Sequence, residues 1–514
     1  MGGDRSLWQL VEDCSSASTD RVLAVDEQGR TVTFGEYCRT CEQVAAGLAA
    51  CGIGTGSRVS WQLPTWVESL VVIGALSRLG AVQNPMLPIY REREMSFITA
   101  QFAPELFIVP SVWNQFEYET TARALAAERA GFEVLAVDRE HARWPVGDPS
   151  VLAPFTEPQD GAVRWVFYTS GTTAEPKGVQ HTDESVIAAA VGALEAIELR
   201  EDDRGGVVFP LTHIGGVLSL VESLLTSSAM ILTEAFDPAT TIPVLAREGV
   251  TLPGAGTPFF LAYLHAQRNR PETPLFPRAR AFPSGGMPKP PDLHEQVKRE
   301  LGGVGIISGY GLTECPVLAM NTVRDDDEKL TYTEGRPTRG VEVRVRTLDG
   351  APASPGDEGE LHVKGPMLFR GYVDPALDTD AFDKDGFLRT GDLGCLDADG
   401  YLRITGRVKD IIIRKGENIS AQELESLLFA HPEVADVVVI GLPDPESGER
   451  VCAVVVASDP AAPPALAGLT DFLRAQGLMP QKLPEQLELV DALPRNPTGK
   501  VLKYELRARF SDRS

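Results

Sequence analysis

A short run of the sequence, residues 168–179, combines hydroxyl groups, glycines and a lysine in a pattern suited to holding an anion. Hydroxyls and the backbone N–H groups of a glycine-bearing turn donate hydrogen bonds to phosphate oxygens, and a lysine adds a compact positive charge. The run therefore predicts a phosphate-binding loop. Its candidate contacts are Thr169, Ser170, Gly171, Thr172, Thr173 and Lys177.

This loop differs from that of the P-loop nucleotidases, whose G-x-x-x-x-G-K-[ST] pattern places a glycine directly before the lysine. Here Pro176 precedes Lys177 and Gly178 follows it. A plain P-loop nucleotidase is therefore disfavoured. A hydrophilic surface turn is the structural alternative, because Gly, Thr and Pro are common turn residues. The density of donors favours phosphate binding.

The segments around the loop predict the elements that hold it. The apolar run at 163–168 predicts a buried strand before the loop, and residues 183–199 predict a helix after it. Strand-like runs alternate with helical patterns up to about residue 330, which indicates mainly parallel sheets covered by helices. From residue 341 the period changes, and short alternating runs predict a small antiparallel β subdomain.

A separate unit is predicted near the C-terminus. The last hundred or so residues contain a capped helix, two strand-like runs and a further helix, enough for a small α+β domain. We expect an α/β fold with a large N-terminal domain at 1–406, a boundary at 407–410 and a small C-terminal domain at 411–514.

Composition narrows the class of protein. The chain has 514 residues, 43% of them apolar, and no apolar run long enough for a membrane span, so a multidomain globular protein is expected. Its formal charge of −24 argues against nucleic acid as a general partner. The seven cysteines are an odd number and no signal peptide is evident, which indicates a reducing, cytoplasmic location.

One stretch runs against the overall negative charge. Between 403 and 415 there are five basic residues and one acid. A solvated surface face is one interpretation of such a stretch. We favour an anion site, because the rest of the chain carries the opposite sign.

Further short motifs follow the loop in a fixed order along almost the whole chain. They lie at 210–216, 284–286, 309–314, 389–392, 406–418 and 497–500. Each is weak alone. Together they resemble the adenylate-forming superfamily, which includes acyl-CoA synthetases, firefly luciferases and nonribosomal peptide adenylation domains.

The resemblance implies a reaction in two steps that uses ATP, Mg²⁺ and coenzyme A. A carboxylate attacks the α-phosphate of ATP to give acyl-AMP and pyrophosphate, and a thiol then attacks the acyl carbon and expels AMP. The first step joins two anionic groups, so cations and donors around the phosphates must lower its barrier. By its motif Glu314 holds Mg²⁺, Thr313 lies near the α-phosphate, and Lys500 approaches the carboxylate and ATP.

The resemblance also assigns the nucleoside contacts. Tyr310 stacks on adenine, and Asp392 accepts hydrogen bonds from both ribose hydroxyls, with Arg407 contacting ribose and phosphate. The glycine-rich neighbours of these residues let the backbone approach the nucleotide. They are Ser284, Gly285, Gly286, Gly309 and Gly311.

In members of this family the small domain rotates between two arrangements. The resemblance therefore implies a hinge at 407–410 and a mobile domain at 411–514, and it implies that the basic stretch at 403–415 moves over the nucleotide phosphates. Lys409 matches the hinge position, and Lys415 and Gly416 match the side that receives coenzyme A. As alternatives, Lys500, Glu314 and Asp392 could be ordinary solvated or turn residues, but their flanking motifs favour the functional assignment.

The acid is indicated only in outline. Residues 210–216 lack the aspartate with which peptide-synthetase domains bind an α-amine, so an α-amino acid is disfavoured. His213 matches the residue that lies beside the substrate carboxylate and thiol, although a hydrogen-bonded core histidine is its structural alternative. The motif spellings look most like bacterial ligases of cyclohexanecarboxylate and medium-chain acids.

Three other functions are weighed against a CoA ligase. An acyl-AMP ligase that loads a carrier protein would share every motif. A luciferase-like oxygenase would differ by emitting light with oxygen, and a non-catalytic binding protein would be expected to lose Lys500 or Glu314. The oligomeric state stays open, a homodimer included.

Overall fold

The computed structural model describes residues 5–129, 131–139, 143–156, 161–169, 176–287, 289–347, 349–414, 417–495 and 501–511. Its strands, numbered along the chain, are β1 Val22–Asp26, β2 Thr31–Thr33, β3 Arg58–Trp61, β4 Val82–Pro85, β5 Leu106–Val109, β6 Glu133–Ala136, β7 Trp165–Thr169, β8 Lys177–His181, β9 Arg204–Val207, β10 Ala229–Leu232, β11 Leu252–Pro253, β12 Phe282–Gly285, β13 Ile306–Leu312, β14 Cys315–Met320, β15 Arg336–Pro337, β16 Glu342–Arg346, β17 Gly359–Lys364, β18 Leu388–Leu396, β19 Leu402–Arg407, β20 Ile411–Arg414, β21 Glu417–Ser420, β22 Val434–Asp444, β23 Gly448–Ala457 and β24 Gln486–Leu489. The α-helices are α1 Leu7–Ala17, α2 Phe34–Ala50, α3 Val67–Leu79, α4 Glu92–Phe102, α5 Tyr118–Arg129, α6 Asp183–Ile197, α7 Ile214–Thr226, α8 Pro238–Arg247, α9 Thr257–Arg268, α10 Pro291–Leu301, α11 Asp327–Tyr332, α12 Asp378–Ala381, α13 Ala421–Phe429, α14 Leu466–Ala475 and α15 Lys503–Phe510. No helix in this described part is long and apolar enough to cross a lipid bilayer.

Two mainly parallel sheets form the first half of the molecule, as the alternation of patterns predicts. One sheet has the strand order β6-β5-β3-β4-β7-β8 and is parallel except for its last pair. The other has the order β11-β9-β10-β1-β2 and is parallel except for β1 and β2. Parallel strands need helical crossovers, so helices such as α2, α3, α6 and α7 cover these sheets.

The structure corrects one local expectation at the phosphate loop. The sequence predicts a strand, a loop and then a helix, but β8 intervenes and pairs antiparallel with β7. Thr169 faces Lys177 across this pair, so the loop is the connection of a hairpin. The five residues of β8 are too few to produce a clear alternating pattern, and their pairing with β7 decides their conformation. Helix α6 follows, and Thr182 caps its N-terminus.

A single buried carboxylate joins three elements near this hairpin. Asp183, the first residue of α6, accepts hydrogen bonds from the backbone N–H of Leu7 at 3.0 Å and from Nε1 of Trp165 at 2.8 Å. Burial raises the pKa of Asp183, while these two donors lower it. The start of α1, strand β7 and the start of α6 are thereby held together.

The later sheets are largely antiparallel, as predicted from residue 341 onward. Strands β16, β17, β18 and β19 pair antiparallel in chain order, and a turn at Asp399-Gly400 joins β18 to β19. A further sheet, β12-β13-β14-β15, has one parallel pair and two antiparallel pairs. It brings the motifs at 284–286 and 309–314 into neighbouring strands.

The C-terminal segment builds its own sheet, β21-β20-β23-β22, with β24 parallel to β23. The hydroxyl of Ser420 accepts from the backbone N–H of Glu423 and caps α13, as the sequence predicts. Two apolar clusters consist entirely of residues after 411. The mixed α/β architecture with a smaller C-terminal part confirms the expected fold class. The boundary at 406 and the hinge at 407–410 stay predictions.

Candidate active site

The phosphate loop lies between β7 and β8, and its two ends are fixed by their pairing. Thr169 ends β7, and Lys177 begins β8. The ammonium Nζ of Lys177 lies 5.3 Å from the ring centre of Tyr372, a distance at which a cation is attracted to an aromatic face. The remaining loop contacts, and three residues assigned to later steps, lie outside the described residues: Ser170, Gly171, Thr172, Thr173, Lys415, Gly416 and Lys500.

Tyr372 links the lysine of this loop to the predicted magnesium carboxylate. Its hydroxyl donates to Oε1 of Glu314 at 2.8 Å, and its ring is 7% exposed. The backbone N–H of Phe369 donates to the carbonyl of Glu314 at 2.9 Å. Thr313 and Glu314 form the turn between β13 and β14. The backbone hydrogen bond from Phe369 fixes this turn, and the hydroxyl of Tyr372 orients the Glu314 side chain.

His181 supports the same turn from the opposite side. Its Nε2 lies 2.7 Å from the carbonyl oxygen of Thr313, and its Nδ1 lies 2.9 Å from the hydroxyl of Ser185. Burial lowers the pKa of His181 to about 4, so the ring is neutral at pH 7. A carbonyl can only accept, so Nε2 carries the proton and donates to Thr313. Strand β8 is thus tied to the 313–314 turn.

The carboxylate of Asp392 is the centre of a second hydrogen-bonded group. Its Oδ2 accepts from the hydroxyl of Tyr310 at 2.6 Å, and its Oδ1 accepts from Nε of Arg407 at 2.7 Å. Asp392 is 3% exposed and faces Arg407 across the β18–β19 pair. Burial raises the pKa of Tyr310, and the neighbouring carboxylate raises it further. Tyr310 therefore stays a hydroxyl donor at neutral pH.

The glycine motifs lie beside Tyr310 in the β12–β13 pair. Gly285 faces Gly309 in parallel register, after Ser284 faces Ser308. A Cβ atom on Gly311 would lie 2.4 Å from the backbone nitrogen of Val317, so this position accepts only glycine. Gly286 has φ of +75°, a conformation that also favours glycine. A Cβ atom on Gly286 would meet no atom within 4 Å, so there is open space beside this residue.

His213 caps the N-terminus of α7. Its Nδ1 accepts from the backbone N–H of Gly215 at 3.1 Å. Burial lowers the pKa of His213 to about 4, so the ring is neutral and its proton resides on Nε2. The side chain retains some exposure, so the ring can offer this N–H donor to a ligand.

The basic stretch at 403–415 is more fully paired than its sequence suggests. Arg407 is bonded to Asp392, and Arg414 pairs with Glu485. Lys409 lies in a short 3₁₀ turn, Val408–Asp410. The one acid of the stretch, Asp410, accepts from Nη2 of Arg507 in α15 at 3.1 Å. Less of the positive charge is therefore available to an anion than the composition implies.

The donor set around Glu314 fits a magnesium ion. Oε2 of Glu314 has no hydrogen bond among the described residues, and the side chain is partly exposed. No group of three or more potential metal ligands occurs in the part of the chain that the structure covers. Magnesium at nucleotide sites takes one or two carboxylates and completes its shell with phosphate oxygens and water. A single carboxylate oxygen therefore suits it.

The structure brings together most of the predicted residues that it describes. Tyr372 contacts both Lys177 and Glu314, and Thr313 precedes Glu314 in the same turn. Tyr310, Asp392 and Arg407 form a second group, joined by hydrogen bonds. Sequence reasoning missed Tyr372 and His181. Tyr372 stands in an Arg-Gly-Tyr run with no evident chemistry, whereas His181, only four residues after Lys177, could have been noticed as a titratable group near the loop.

Comparison with known proteins gives matches over the whole chain. The AMP-binding enzyme family matches residues 11–373, and the AMP-binding enzyme C-terminal domain matches residues 423–500. A medium-chain fatty-acid–CoA ligase of Escherichia coli K12 is 30% identical over 98% of this chain and 90% of the relative. A salicyl-AMP ligase/salicyl-S-ArCP synthetase of Mycobacterium tuberculosis H37Rv is 32% identical over 97% and 90%.

A solved structure agrees with these sequence matches. ATP-bound MatB from Rhodopseudomonas palustris superposes with a TM-score of 0.88 at 28% identity, covering 100% of this chain and 99% of that one. The match includes both the large N-terminal part and the smaller C-terminal part. The chain therefore belongs to the AMP-binding enzyme family, the adenylate-forming superfamily of acyl-CoA synthetases.

Proposed function

We propose that this protein is an ATP-dependent carboxylic acid:CoA ligase that works through an acyl-AMP intermediate. One observation carries the proposal: a single hairpin, β13–β14, bears both Tyr310, which is bonded to Asp392, and Glu314, which is bonded to Tyr372. A contact for the nucleoside and a contact for the metal are thereby held on one rigid element. The relative of Escherichia coli named above supports coenzyme A as the acceptor.

In the first step the substrate carboxylate attacks the α-phosphorus of ATP, and pyrophosphate leaves. Asp392 accepts the ribose hydroxyls while Tyr310 and Arg407 hold it in place, and Tyr310 presents its ring to adenine. Lys177 and the loop hydroxyls bind phosphate oxygens. Magnesium, when bound, neutralises phosphate charge, and Glu314 is its proposed ligand. Because these groups are positioned beforehand, little reorganisation accompanies the reaction.

The carboxylate is held at the N-terminus of α7. Neutral His213 offers its Nε2–H, and a helix N-terminus favours an anion nearby. Lys500 is proposed to reach the same carboxylate and to stabilise the charge that develops as the oxygen approaches phosphorus. In the second step a coenzyme A thiolate attacks the acyl carbon and AMP leaves, with Lys415 and Gly416 on the thiol side and the hinge at Lys409.

The acid is proposed to have an apolar skeleton, cyclic or of medium chain length. The medium-chain ligase relative supports this class, as does the absence of an acidic residue at 210–216. Loading of a carrier protein is the second candidate, which the salicyl-AMP ligase/salicyl-S-ArCP synthetase relative favours. The distinction between them lies in the thiol that accepts the acyl group.

A panel assay tests the proposal. The protein is incubated with ATP, Mg²⁺ and cyclohexane, benzoic and short- to long-chain carboxylic acids, with and without coenzyme A, and AMP and acyl products are followed by mass spectrometry. Acyl-CoA formation with any acid supports the ligase. Acyl-AMP that never becomes a CoA thioester transfers the proposal to a carrier protein. No nucleotide turnover with any acid overturns it, and light emission with oxygen identifies a luciferase-like reaction instead.

A further inference from the structure

Helix α7 is buried on most sides but keeps one accessible stripe. Gly215, Ser219, Glu222 and Thr226 are all partly exposed, whereas most of their neighbours on the helix are buried. A spacing of four, three and four residues places these positions on one face of an α-helix. The accessible surface of α7 is therefore a continuous strip along the helix axis.

This strip, the 215–226 face, begins at the candidate active site. A Cβ atom on Gly215 would lie 3.2 Å from Nδ1 of His213 and 3.4 Å from Cε2 of Phe209. Gly215 therefore points to the same side as the histidine that is proposed to receive the substrate carboxylate. From there the face passes Ser219 and reaches Glu222, about 10 Å further along the axis at 1.5 Å per residue.

Apolar residues border the 215–226 face. Leu218 is buried and Leu225 is partly buried beside it, and both pack in the large core cluster of the N-terminal part. Such a border suits a carbon skeleton lying along the helix. Two polar side chains in this part of the chain, Glu222 and Thr212, contrast with that apolar border.

Those polar groups have no partner in the structure. The carboxylate of Glu222 makes no hydrogen bond or ion pair among the described residues, and the hydroxyl of Thr212, 2% exposed, also lacks a partner there. Burial raises the pKa of Glu222 to about 8, whereas a carboxyl on an open surface would keep its ordinary value. The Glu222 side chain is nonetheless partly accessible, so its carboxyl lies at the accessible face and can be reached by water or by a ligand. A ligand that supplies a hydrogen bond to a polar group without a protein partner gains the affinity of that bond.

We propose that the acid lies along the 215–226 face and that its far end carries a hydrogen-bond donor, a hydroxyl or an ammonium group, which the Glu222 carboxyl binds. This inference rests on the proposed function, because it assumes that the substrate carboxylate is held near His213. It narrows the substrate class to acids with an apolar middle and a polar far end. Glu222 is then a residue that determines specificity and does not take part in the chemistry.

The test compares matched acids. Octanoate, 8-hydroxyoctanoate and 8-aminooctanoate, with the corresponding six- and ten-carbon series to bracket the length, are assayed by kcat/KM for pyrophosphate release. The proteins are the wild type, Glu222→Gln, Glu222→Leu and the control Glu195→Leu. Glu195 is exposed on the neighbouring helix α6 and pairs with Arg339 on the surface. Calorimetric binding of each acid with AMP gives a second readout that does not depend on turnover.

We expect the wild type to prefer a substituted acid over its unsubstituted partner by about tenfold or more, mainly through KM. Glu222→Leu should reverse that preference by about 10- to 100-fold, as loss of a buried polar contact typically does. Glu222→Gln should keep the preference for the hydroxy acid and lose it for the amino acid, since a carboxyl can give up its proton to pair with an ammonium group and an amide cannot. Glu195→Leu should behave as the wild type.

Two results would overturn the inference and leave the ligase standing. One is a wild type that uses unsubstituted acids as well as the substituted ones at every chain length. The other is an unchanged preference in both Glu222 variants. Failure of every acid to release pyrophosphate would overturn the proposed function, and this inference with it. Glu222→Gln preserves the size of the side chain, so the test does not depend on the folding of the leucine variant.

Discussion

The nucleotide side and the acid side of the candidate site treat their polar groups in opposite ways. Asp392 and Glu314 each accept a hydrogen bond from a tyrosine hydroxyl, and His181 uses both ring nitrogens. On the acid side Glu222 and the Thr212 hydroxyl have no partner within the described residues. The proposed nucleotide contacts are thus arranged before the ligand arrives, while the two groups on the proposed acid side have no protein partner.

This difference matches the proposed roles of the two sides. Every member of an ATP-dependent family binds the same nucleotide, so a fixed set of supported side chains serves them all and keeps the reorganisation of the site small. The acid differs between members. In this protein the unpaired Glu222 carboxyl on the 215–226 face is proposed to raise the affinity for one class of acid over another. Each of the following predictions would break or sharpen the contrast.

The largest effect is expected at Lys500, which is proposed to reach the substrate carboxylate and ATP. Lys500→Ala should slow acyl-AMP formation by about 10²–10³, because one positioned charge on the reacting groups is lost. Conversion of preformed acyl-AMP to the thioester should be largely spared. Single-turnover measurements of the two half-reactions separate these effects, with the exposed Lys384→Ala as control. Equal loss in both half-reactions would contradict the assigned role.

Asp392→Asn should raise the KM for ATP by about 10²-fold, or about 2–3 kcal/mol. An amide group cannot accept from Tyr310, Arg407 and the ribose hydroxyls together, and its own N–H₂ would face one of these donors. Calorimetric titration with AMP measures the change in affinity. Asp399→Asn, in an exposed turn, is the matched control. An unchanged affinity would show that the supported carboxylate is a structural device only.

Tyr372→Phe should reduce adenylation by about tenfold and raise the Mg²⁺ concentration needed for half-maximal rate. The variant keeps the ring near Lys177 but removes the hydroxyl that orients Glu314, and such supporting hydrogen bonds typically contribute 10- to 100-fold to metal sites. Tyr37→Phe removes a buried hydroxyl bonded to Leu70, a residue with no role in the site, and serves as control. If both variants respond alike to Mg²⁺, Tyr372 does not position the metal ligand.

The smallest effect concerns stability and belongs to the acid side. Burial raises the pKa of Glu222 from 4.5 to about 8, so the folded protein holds this proton over a range where the unfolded chain has lost it. The stabilisation that this proton gives the folded state is fully present below about pH 4.5, and it is lost as the pH rises through about 8.

Glu222→Gln removes this dependence on pH. The Tm of the variant should therefore rise relative to that of the wild type between pH 5 and 9, by about 1 °C for each kcal/mol that the wild type loses, because the entropy of unfolding grows with chain length. Scanning calorimetry across this range measures the gap, with Glu195→Gln as control. A gap that stays constant with pH would show that the carboxyl is not enclosed.

Much of the site could be predicted from the sequence, because the chemistry of adenylation requires particular residue types in short motifs. Asp392 and Glu314 stand in such motifs. What supports them comes from distant parts of the chain: Tyr372 reaches Glu314 across 58 residues, and His181 reaches Thr313 across 132. The absence of a partner at Glu222 could not be foreseen either, since it depends on every neighbour brought close by folding.

The same distinction applies to the fold. Helix α6, for example, is observed at Asp183–Ile197, close to the 183–199 that its sequence pattern predicts. Strand β8 was missed, because five residues follow the loop and acquire their conformation only by pairing with β7. The basic stretch at 403–415 was recognised as unusual, but the pairing of Arg407 and Arg414 with acids was not evident from their spacing.

The bond between Arg407 and Asp392 joins two events that would otherwise be separate. Arg407 ends β19 directly before the turn at Val408–Asp410, in the proposed hinge, and it holds the carboxylate proposed for ribose. In the proposed domain alternation, a nucleotide that alters this contact shifts the balance between the two domain orientations. Thermodynamic reciprocity then requires each orientation to change nucleotide affinity by the same factor. Under that proposal, release of AMP and return of the small domain are two readings of one equilibrium.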